Sequence, residues 1–302
     1  MGAGRVGRAL GRRLRERGWR IGAVVTRSPA TARAAVAAIG GGSPMKFGEG
    51  QGLYLRKRRP GAGRRLALDL DEVFAADVIF LTTADDVLPA MARALARHAG
   101  AKKCRGKIVL HTAATLDRSA LAPFARLGAA VGSLHPMQAF GGRVVPNLEG
   151  VIFAVEGDAK AVRAAQAIAK SLGGIPVAIR TQDKPLYHAA AVMAAGSMYA
   201  TTEAGLHLLE RAGFTRQLAM RTLIPLMRQI LDNIERIGPR EAWTGPLSRG
   251  DYEIVARHAR ALRTSSPEVR KAYAALAMLA ASILSGDPYQ AKRKTAQALD
   301  VG

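Results

Sequence analysis

Read for its apolar and polar positions, the chain alternates short apolar runs with amphipathic stretches up to about residue 180, and beyond that shows helical periodicity alone. Val6, Leu10 and Leu14 recur at i, i+4 and i+8, with Arg8, Arg12, Arg13 and Arg15 largely outside that stripe. This predicts an amphipathic helix that Gly18 closes. Residues 19–25 read as a strand and 30–39 as a helix. The irregular Gly-rich segment 40–63, with the basic cluster Arg56, Lys57, Arg58 and Arg59, is expected to be a mobile loop, and the cluster a potential surface contact. Residues 66–74 lead into the apolar run 76–83, which ends in Thr82 and Thr83 and has the pattern of a buried parallel strand. Asp85 and Asp86 are placed as N-caps of a helix reaching about residue 98.

Further strands are predicted at 107–110, 129–134, 150–155 and 175–179, with a helix over 159–172 that stops at Gly173 and Gly174. From there on only helices are predicted. Asp183 is read as the cap of a long pattern over 184–212 ended by Gly213, and more helices follow at 215–237, 251–262, 267–284 and 288–299. The fold class expected is an α/β Rossmann-like dinucleotide-binding domain over residues 1–180, its first strand missing, followed by an all-helical domain over 181–302 for substrate and dimerisation.

Gly2, Gly4 and Gly7 spell GxGxxG at the mouth of the first helix. Gly2 would allow the tight turn out of a strand, Gly4 the approach of backbone to a pyrophosphate, and Gly7 the packing of helix on sheet, with Arg5 and Val6 beside the phosphates. Arg27 lies twenty residues after Gly7 (27 − 7), where an acid would hold the ribose of NAD. Thr26, Arg27 and Ser28 offer instead a cation and hydroxyls to a 2′-phosphate, which favours NADP(H). Ser28 is equally suited to cap the next helix, with Pro29 at its first position. The strand that should precede Gly2 would be the central one of a parallel sheet. The true start is therefore expected upstream of Met1, since its absence would leave two neighbouring strands unpaired.

Composition narrows the class. The 302 residues, 49% hydrophobic, suffice for one large domain or two ordinary ones. The apolar stretch 272–284 is shorter than the roughly 18–20 residues of a membrane span and follows a cap signal at Ser265, Ser266 and Pro267. The single Cys104 excludes an intrachain disulfide and a multi-cysteine metal site, no other spacing suggests a metal, and the chain reads as cytoplasmic. The net charge of +22 would attract phosphate, but with aromatic residues at 5% and the basic residues dispersed, it is read as a surface biased toward anionic cofactors and substrates, not as a nucleic-acid site.

Candidate chemistry gathers at strand ends and at the junction of the two halves. Thr82, Thr83, His111 and His135 close three predicted strands, where open α/β sheets bind ligands. Lys184 and His188 share one helical face at i and i+4. The lysine is suited to stabilise charge on a carbonyl oxygen or, with its pKa lowered by burial, to donate a proton; a solvated lysine and a core histidine are the plainer reading. Gln138 follows His135 in a loop, and Arg249 is suited to capture a carboxylate on a small-molecule substrate, although Asp251 beside it also reads as a helix cap. Small residues over 189–200 suggest close packing against a helix or a second subunit, hence a homodimer.

Taken together, the glycine turn, Ser133-Leu134-His135-Pro136, Lys184-x-x-Tyr187-His188 and the 245–251 segment resemble a bacterial family that pairs a Rossmann-like domain with a C-terminal domain of unknown function. That family is akin to the superfamily of 6-phosphogluconate and 3-hydroxyisobutyrate dehydrogenases and of ketopantoate and pyrroline-5-carboxylate reductases. The resemblance covers nearly the whole chain. Lys184 matches the lysine of the hydroxyisobutyrate type, His188 stands in place of its asparagine, and Ser197 stands where asparagine is expected. It implies a dehydrogenase fold, and the function expected of the chain is an NADP(H)-dependent oxidoreductase acting on a small carbonyl, imine or alcohol compound in an interdomain cleft, with Lys184 and His188 at the reaction and His135 in the cleft. A deazaflavin in place of NADP(H) is a variant within that superfamily. The alternative is a non-catalytic NADP(H)-binding sensor acting through a partner.

Overall fold

The computed structural model describes residues 1–46, 70–141 and 144–300. The chain forms two compact units that divide after Met193. The basic cluster at Arg56 to Arg59 and most of the loop expected over 40–63 lie outside the described residues, as do residues 66–69 of the segment 66–74.

The first unit is α/β. Helix α1 (Arg5–Glu16) buries Ala9, Leu10 and Leu14 along one stripe, and the chain passes it at Gly18, whose φ of +83° suits glycine. Strand β1 (Ala23–Thr26) starts later than expected: Trp19 is 37% exposed, and only Val24, Val25 and Thr26 are buried on the strand. Helix α2 (Pro29–Ile39) is capped by Ser28, whose hydroxyl accepts from Thr31 N–H. It ends at Gly40, and a strand follows where a loop was expected: β2 (Ser43–Lys46) runs parallel to β1. Its proline and lack of an apolar face suit an edge strand, which periodicity does not reveal.

After α3 (Leu70–Ala75) come β3 (Val78–Leu81), α4 (Leu88–Cys104), β4 (Ile108–His111), the short α5 (Ala122–Ala125), β5 (Ala130–Pro136), β6 (Ile152–Gly157), α6 (Ala159–Ser171) and β7 (Ile175–Ala178). Strands β3 to β7 form one sheet in sequence order, parallel throughout except that β6 runs antiparallel to β5. Asp85 and Asp86 do not cap α4. Val87 holds that position, Pro89 occupies the first turn, and Asp85 accepts instead from the Thr115 hydroxyl at 3.3 Å. The core lies on both faces of the sheet, with Leu81, Leu88, Leu95, Val109, Leu121 and Phe124 in one cluster and Leu10, Leu110, Leu134, Phe153 and Ile168 in the other. Buried Cys104 belongs to the first cluster.

Helix α7 (Lys184–Ala191) ends this unit, and a π-type turn (Val192–Gly196) spans the division. The second unit is helical: α8 (Ser197–Arg211), α9 (Arg216–Ile237), α10 (Tyr252–Ala261), α11 (Pro267–Ile283) and α12 (Pro288–Asp300). Thr215 and Ser266 cap α9 and α11 through their hydroxyls, the second within the cap signal read at Ser265, Ser266 and Pro267. Asp183 and Asp251 sit at N-cap positions but make no side-chain cap, because their carboxylates are held by Arg180 and Arg249. No described helix is long and apolar enough to cross a membrane. The architecture is thus a Rossmann-like α/β domain followed by an all-helical one.

Candidate functional site

The glycine turn is built mainly from backbone. Met1 lies beside β3, its amino group donating to Phe80 O at 2.5 Å and its carbonyl accepting from Thr82 N–H at 2.8 Å. Gly2 N–H donates to Val25 O of β1 at 2.9 Å, and the chain then turns with φ of +84° at Gly2. A Cβ there would lie 2.5 Å from Thr83 Cγ2 and 2.8 Å from Thr83 N, so only glycine fits. A Cβ on Gly7 would run into Thr82 Oγ1, which is fixed by donating to the carbonyls of Met1 at 3.1 Å and Gly2 at 2.9 Å.

Gly4 is different. It is exposed, its φ is −72°, and the nearest atom to an added Cβ is Gly2 O at 3.8 Å, an ordinary contact. The fold thus requires glycine at positions 2 and 7, while at position 4 it leaves open space at the start of α1. That helix has no side-chain cap and no acid in its first turn, so its leading N–H groups remain available to an anion. The Thr83 hydroxyl beside the turn is buried without a hydrogen-bond partner among the described residues. Arg5 is exposed at the first helical position and Val6 packs into the core.

At the end of β1, Thr26 is buried and its hydroxyl donates to Ser28 O at 2.8 Å. Ser28 Oγ is engaged by Thr31 as the cap of α2. Arg27 between them is exposed and makes no hydrogen bond or ion pair with a described residue.

The second arrangement is built from side chains that register brings together. Leu81 of β3 pairs with His111 of β4, His111 with Ser133 of β5, and Ser133 with Glu156 of β6. One crosswise row therefore holds three buried polar side chains. His111 is fully buried and satisfied: Nδ1 accepts from Ala113 N–H at 3.2 Å, which leaves Nε2 to donate to Asp117 O at 3.1 Å. Glu156 accepts from Arg118 N–H and from the Thr181 hydroxyl, both at 3.0 Å. The Thr181 bond anchors the 3-10 turn (Thr181–Asp183) from which α7 starts, and so fixes where the first residue of α7 falls.

That residue is Lys184, fully buried, whose Nζ donates to Ser133 Oγ at 2.9 Å. His135 follows Ser133 by two residues on the same face of β5, and its Nδ1 lies 2.9 Å from the Tyr187 hydroxyl. Its ring meets those of Tyr187 and His188 edge to face, at 5.5 and 6.5 Å between centroids. His188 Nδ1 is buried without a hydrogen-bond partner among the described residues.

Burial sets the protonation of this group. It holds Lys184 below the ordinary lysine value, against the pull of Glu156, Asp117 and Asp85. Desolvation, then the lysine charge, holds His111 and His135 down to about 4, so both are neutral at pH 7. Burial pushes Tyr187 up to about 12, so its hydroxyl keeps its proton. A neutral or a charged Lys184 has N–H donors beyond the one Ser133 accepts, and it stands where an oxygen or nitrogen of a bound molecule would find a donor.

The expected site residues thus fall into two groups in the first unit: Gly2, Gly4, Gly7, Thr82 and Thr83, and Lys184, His188, His135 and His111. Gln138 is exposed just past β5, its backbone N–H turned back to Pro136 O at 2.9 Å. Arg249 belongs to the second unit, where it pairs with Asp251 at 3.0 Å. Ser133, Glu156 and Tyr187 were not among the expected site residues. A serine two positions before His135 and a carboxylate closing the apolar run 153–155 were the available signals.

A family model described as a domain of unknown function, DUF2520, matches residues 151–280. No curated protein matches the sequence. Among solved structures, a candidate NADP oxidoreductase from Bacteroides fragilis is similar at a TM-score of 0.66 and 19% identity, over 91% of this chain and 93% of that one. An imine reductase from Streptomyces aurantiacus is similar at a TM-score of 0.62 and 14% identity, over 98% and 96% of the two chains. A reductive aminase from Aspergillus terreus, in complex with NADPH and ethyl-5-oxohexanoate, is similar at a TM-score of 0.55 and 15% identity, over 100% and 92%. At these identities the likeness is one of fold.

Proposed function

We propose that the protein is an NADP(H)-dependent oxidoreductase that moves hydride between the nicotinamide and a small carbonyl, imine or alcohol compound. The observation that carries this reading is a fully buried lysine at the carboxyl end of β5, with a single hydrogen bond, on the same sheet edge as a glycine turn left open at Gly4. The cofactor, when bound, supplies the hydride. The residues present fit it: Gly4 and the uncapped start of α1 would take the pyrophosphate, and Thr83 has a buried hydroxyl without a partner among the described residues. Ser28 is committed to its cap, so the 2′-phosphate falls to exposed Arg27. Structures of the same fold include a protein described as an NADP oxidoreductase and one in complex with NADPH.

In this reading Lys184 holds or moves the proton at the reacting oxygen or nitrogen, Ser133 fixes its position, and His188 stands one turn away with an open nitrogen. The neutral His135 and protonated Tyr187 form a polar wall beside them. Gln138, exposed just past β5, is assigned to a polar group of the substrate, and Arg249, within the second unit, to capture of an anion. The protein acts as a homodimer, for which exposed Leu226, Ile230, Ile234 and Ile237 offer one apolar face of α9.

The test is a titration of the purified chain with NADPH and NADH, followed by nicotinamide fluorescence, and then a screen of carbonyl, imine and alcohol compounds for cofactor turnover. NADPH binding well above NADH, with turnover of one class, is expected. Absence of binding sinks the proposal. Binding without turnover of any class assigns the protein to cofactor-dependent partner recognition, which a pull-down with and without NADPH reads directly.

A further inference from the structure

Two groups of opposite charge are buried on one face of the sheet, and among the described residues each is hydrogen-bonded only to neutral groups. Lys184 Nζ donates to the Ser133 hydroxyl at 2.9 Å. Glu156, 5% exposed, accepts at Oε2 from Arg118 N–H and at Oε1 from the Thr181 hydroxyl, both at 3.0 Å. The Arg118 guanidinium, although close in the chain, turns instead to Asp158 at 3.0 Å. A charge in the interior is costly unless an opposite charge stands near it.

Register supplies that nearness. Ser133 and Glu156 are directly opposed on β5 and β6, so their side chains share a face with Cβ atoms about 5 Å apart. Lys184 bonds to the first of the pair, and Thr181 ties the second to the turn from which Lys184 starts. The other groups around Lys184 are less suited to balance it. His111 of β4 and His135 of β5 are neutral at pH 7, Tyr187 of α7 keeps its proton, and His188 lies one turn along the same helix. Asp183 pairs with Arg180. Asp117, at the head of the 3-10 turn (Arg118–Leu121), and Asp85, after β3, are both less buried than Glu156. Burial draws Lys184 toward its neutral form, and of the charges that oppose this Glu156 comes first, ahead of Asp117 and Asp85.

We propose that Glu156 is a positioning residue that acts through Lys184: it is the counter-ion of the buried ammonium, held in place by its pairing with Ser133 and by its bond to Thr181. A direct ion pair would occupy the ammonium. A counter-ion one side chain away supports the charge and leaves free the N–H donors that Ser133 does not use. This role rests on the reading of Lys184 as the group that holds or moves the proton.

The experiment follows lysine isotopically labelled at Cε by NMR across pH, in the native protein and in Glu156→Gln, Glu156→Asp and Thr181→Val. The Lys184 signal is assigned by its loss in Lys184→Met. Glu156→Gln, whose amide can still accept from Arg118 N–H and donate to Thr181, is expected to lower the Lys184 midpoint by about one pH unit or more. Glu156→Asp restores the charge, and Thr181→Val removes a bond but no charge, so both should stay within about half a pH unit of the native midpoint. A midpoint unmoved in Glu156→Gln would overturn the proposal. So would a shift in Thr181→Val as large as that in Glu156→Gln, because shape and not charge would then be acting. A further check needs no change at Glu156: its carboxyl carbon signal should move at the Lys184 midpoint and be flat there in Lys184→Met. A flat signal in the native protein overturns the proposal as well. None of these readouts uses cofactor or turnover. Where turnover is found, the pH limb set by Lys184 should move down together with the NMR midpoint in Glu156→Gln; a limb that stays while the midpoint moves sinks the reading of Lys184 and not that of its counter-ion.

Discussion

Two arrangements of polar groups stand on the same sheet edge and are made by opposite means. The glycine turn is a local structure: three glycines in six residues, closed by backbone bonds to Phe80, Thr82 and Val25. The lysine cluster has no local origin. Ser133, Glu156 and Lys184 come together only because β4, β5 and β6 pair in one register and α7 starts at the turn tied to Glu156. The first arrangement offers an anion N–H groups whose charge does not depend on pH. The second offers side chains whose charge does.

The sharpest way to test that division is to remove the charge at the second arrangement and keep its volume. Lys184→Met is expected to lower turnover by about 100-fold or more, the scale of a lost proton donor or electrostatic stabiliser. NADPH affinity should change by less than about threefold, because the phosphate site proposed for it is the other arrangement. The same substitution should raise the thermal midpoint, since a fully buried ammonium with one hydrogen bond gives way to an apolar chain of similar size. Turnover and melting moving together, both down, would mean that Lys184 is only a structural residue.

The pH dependence of stability should also belong to the second arrangement. His111 titrates near 6.5 when unfolded and at about 4 when folded. Between these values the unfolded chain binds more protons, so stability is fully present above pH 6.5 and is lost as pH falls toward 4. For His111 alone the loss is on the order of 3 kcal/mol, and His135 adds to it with the same sign. Urea midpoints measured across this window should fall steeply in the native chain and less steeply in His111→Asn. An unchanged slope would place the titrating group elsewhere.

The contrast also explains what could be read from the sequence. The turn was legible because spacing alone specifies it, and the helices of the second unit because Thr215, Ser266 and Pro267 mark their starts. Strand β2 was not, since Ser43–Lys46 has neither alternation nor a β-branched residue and pairs only because β1 is beside it. Asp85 and Asp86 misled because composition cannot tell a capping carboxylate from one engaged by Thr115. His135 and Lys184 could be named singly, but Ser133 and Glu156 gain their place from a register between strands that no local pattern encodes.

Within the turn, the glycines themselves can be separated. Gly7→Ala should cost about 2–3 kcal/mol in urea unfolding, because its methyl meets a Thr82 hydroxyl that two hydrogen bonds hold in place. Gly4→Ala should cost at most about 1 kcal/mol, through a poorer N-cap, since the added methyl touches only Gly2 O at 3.8 Å. Its NADPH affinity should nonetheless fall by about tenfold or more if a phosphate occupies that space. Equal losses of stability in the two variants would erase the distinction between a glycine required by packing and one left for a ligand.

The smallest effect is expected at the far end of the same site. Arg27 is exposed, and Ser28 beside it is already bound to Thr31, so the proposed preference for NADPH over NADH rests on one guanidinium. A single exposed charge-assisted contact supports a difference of about 1–1.5 kcal/mol. Arg27→Ala should therefore weaken NADPH by about tenfold, leave NADH within twofold, and lose much of its effect at high salt, where exposed charges are screened. Melting should not change, because no described residue depends on this side chain. If NADPH preference survives the substitution, the 2′-phosphate is held by other residues, and Gly4 and Thr83 remain as the proposed cofactor contacts that do not depend on it.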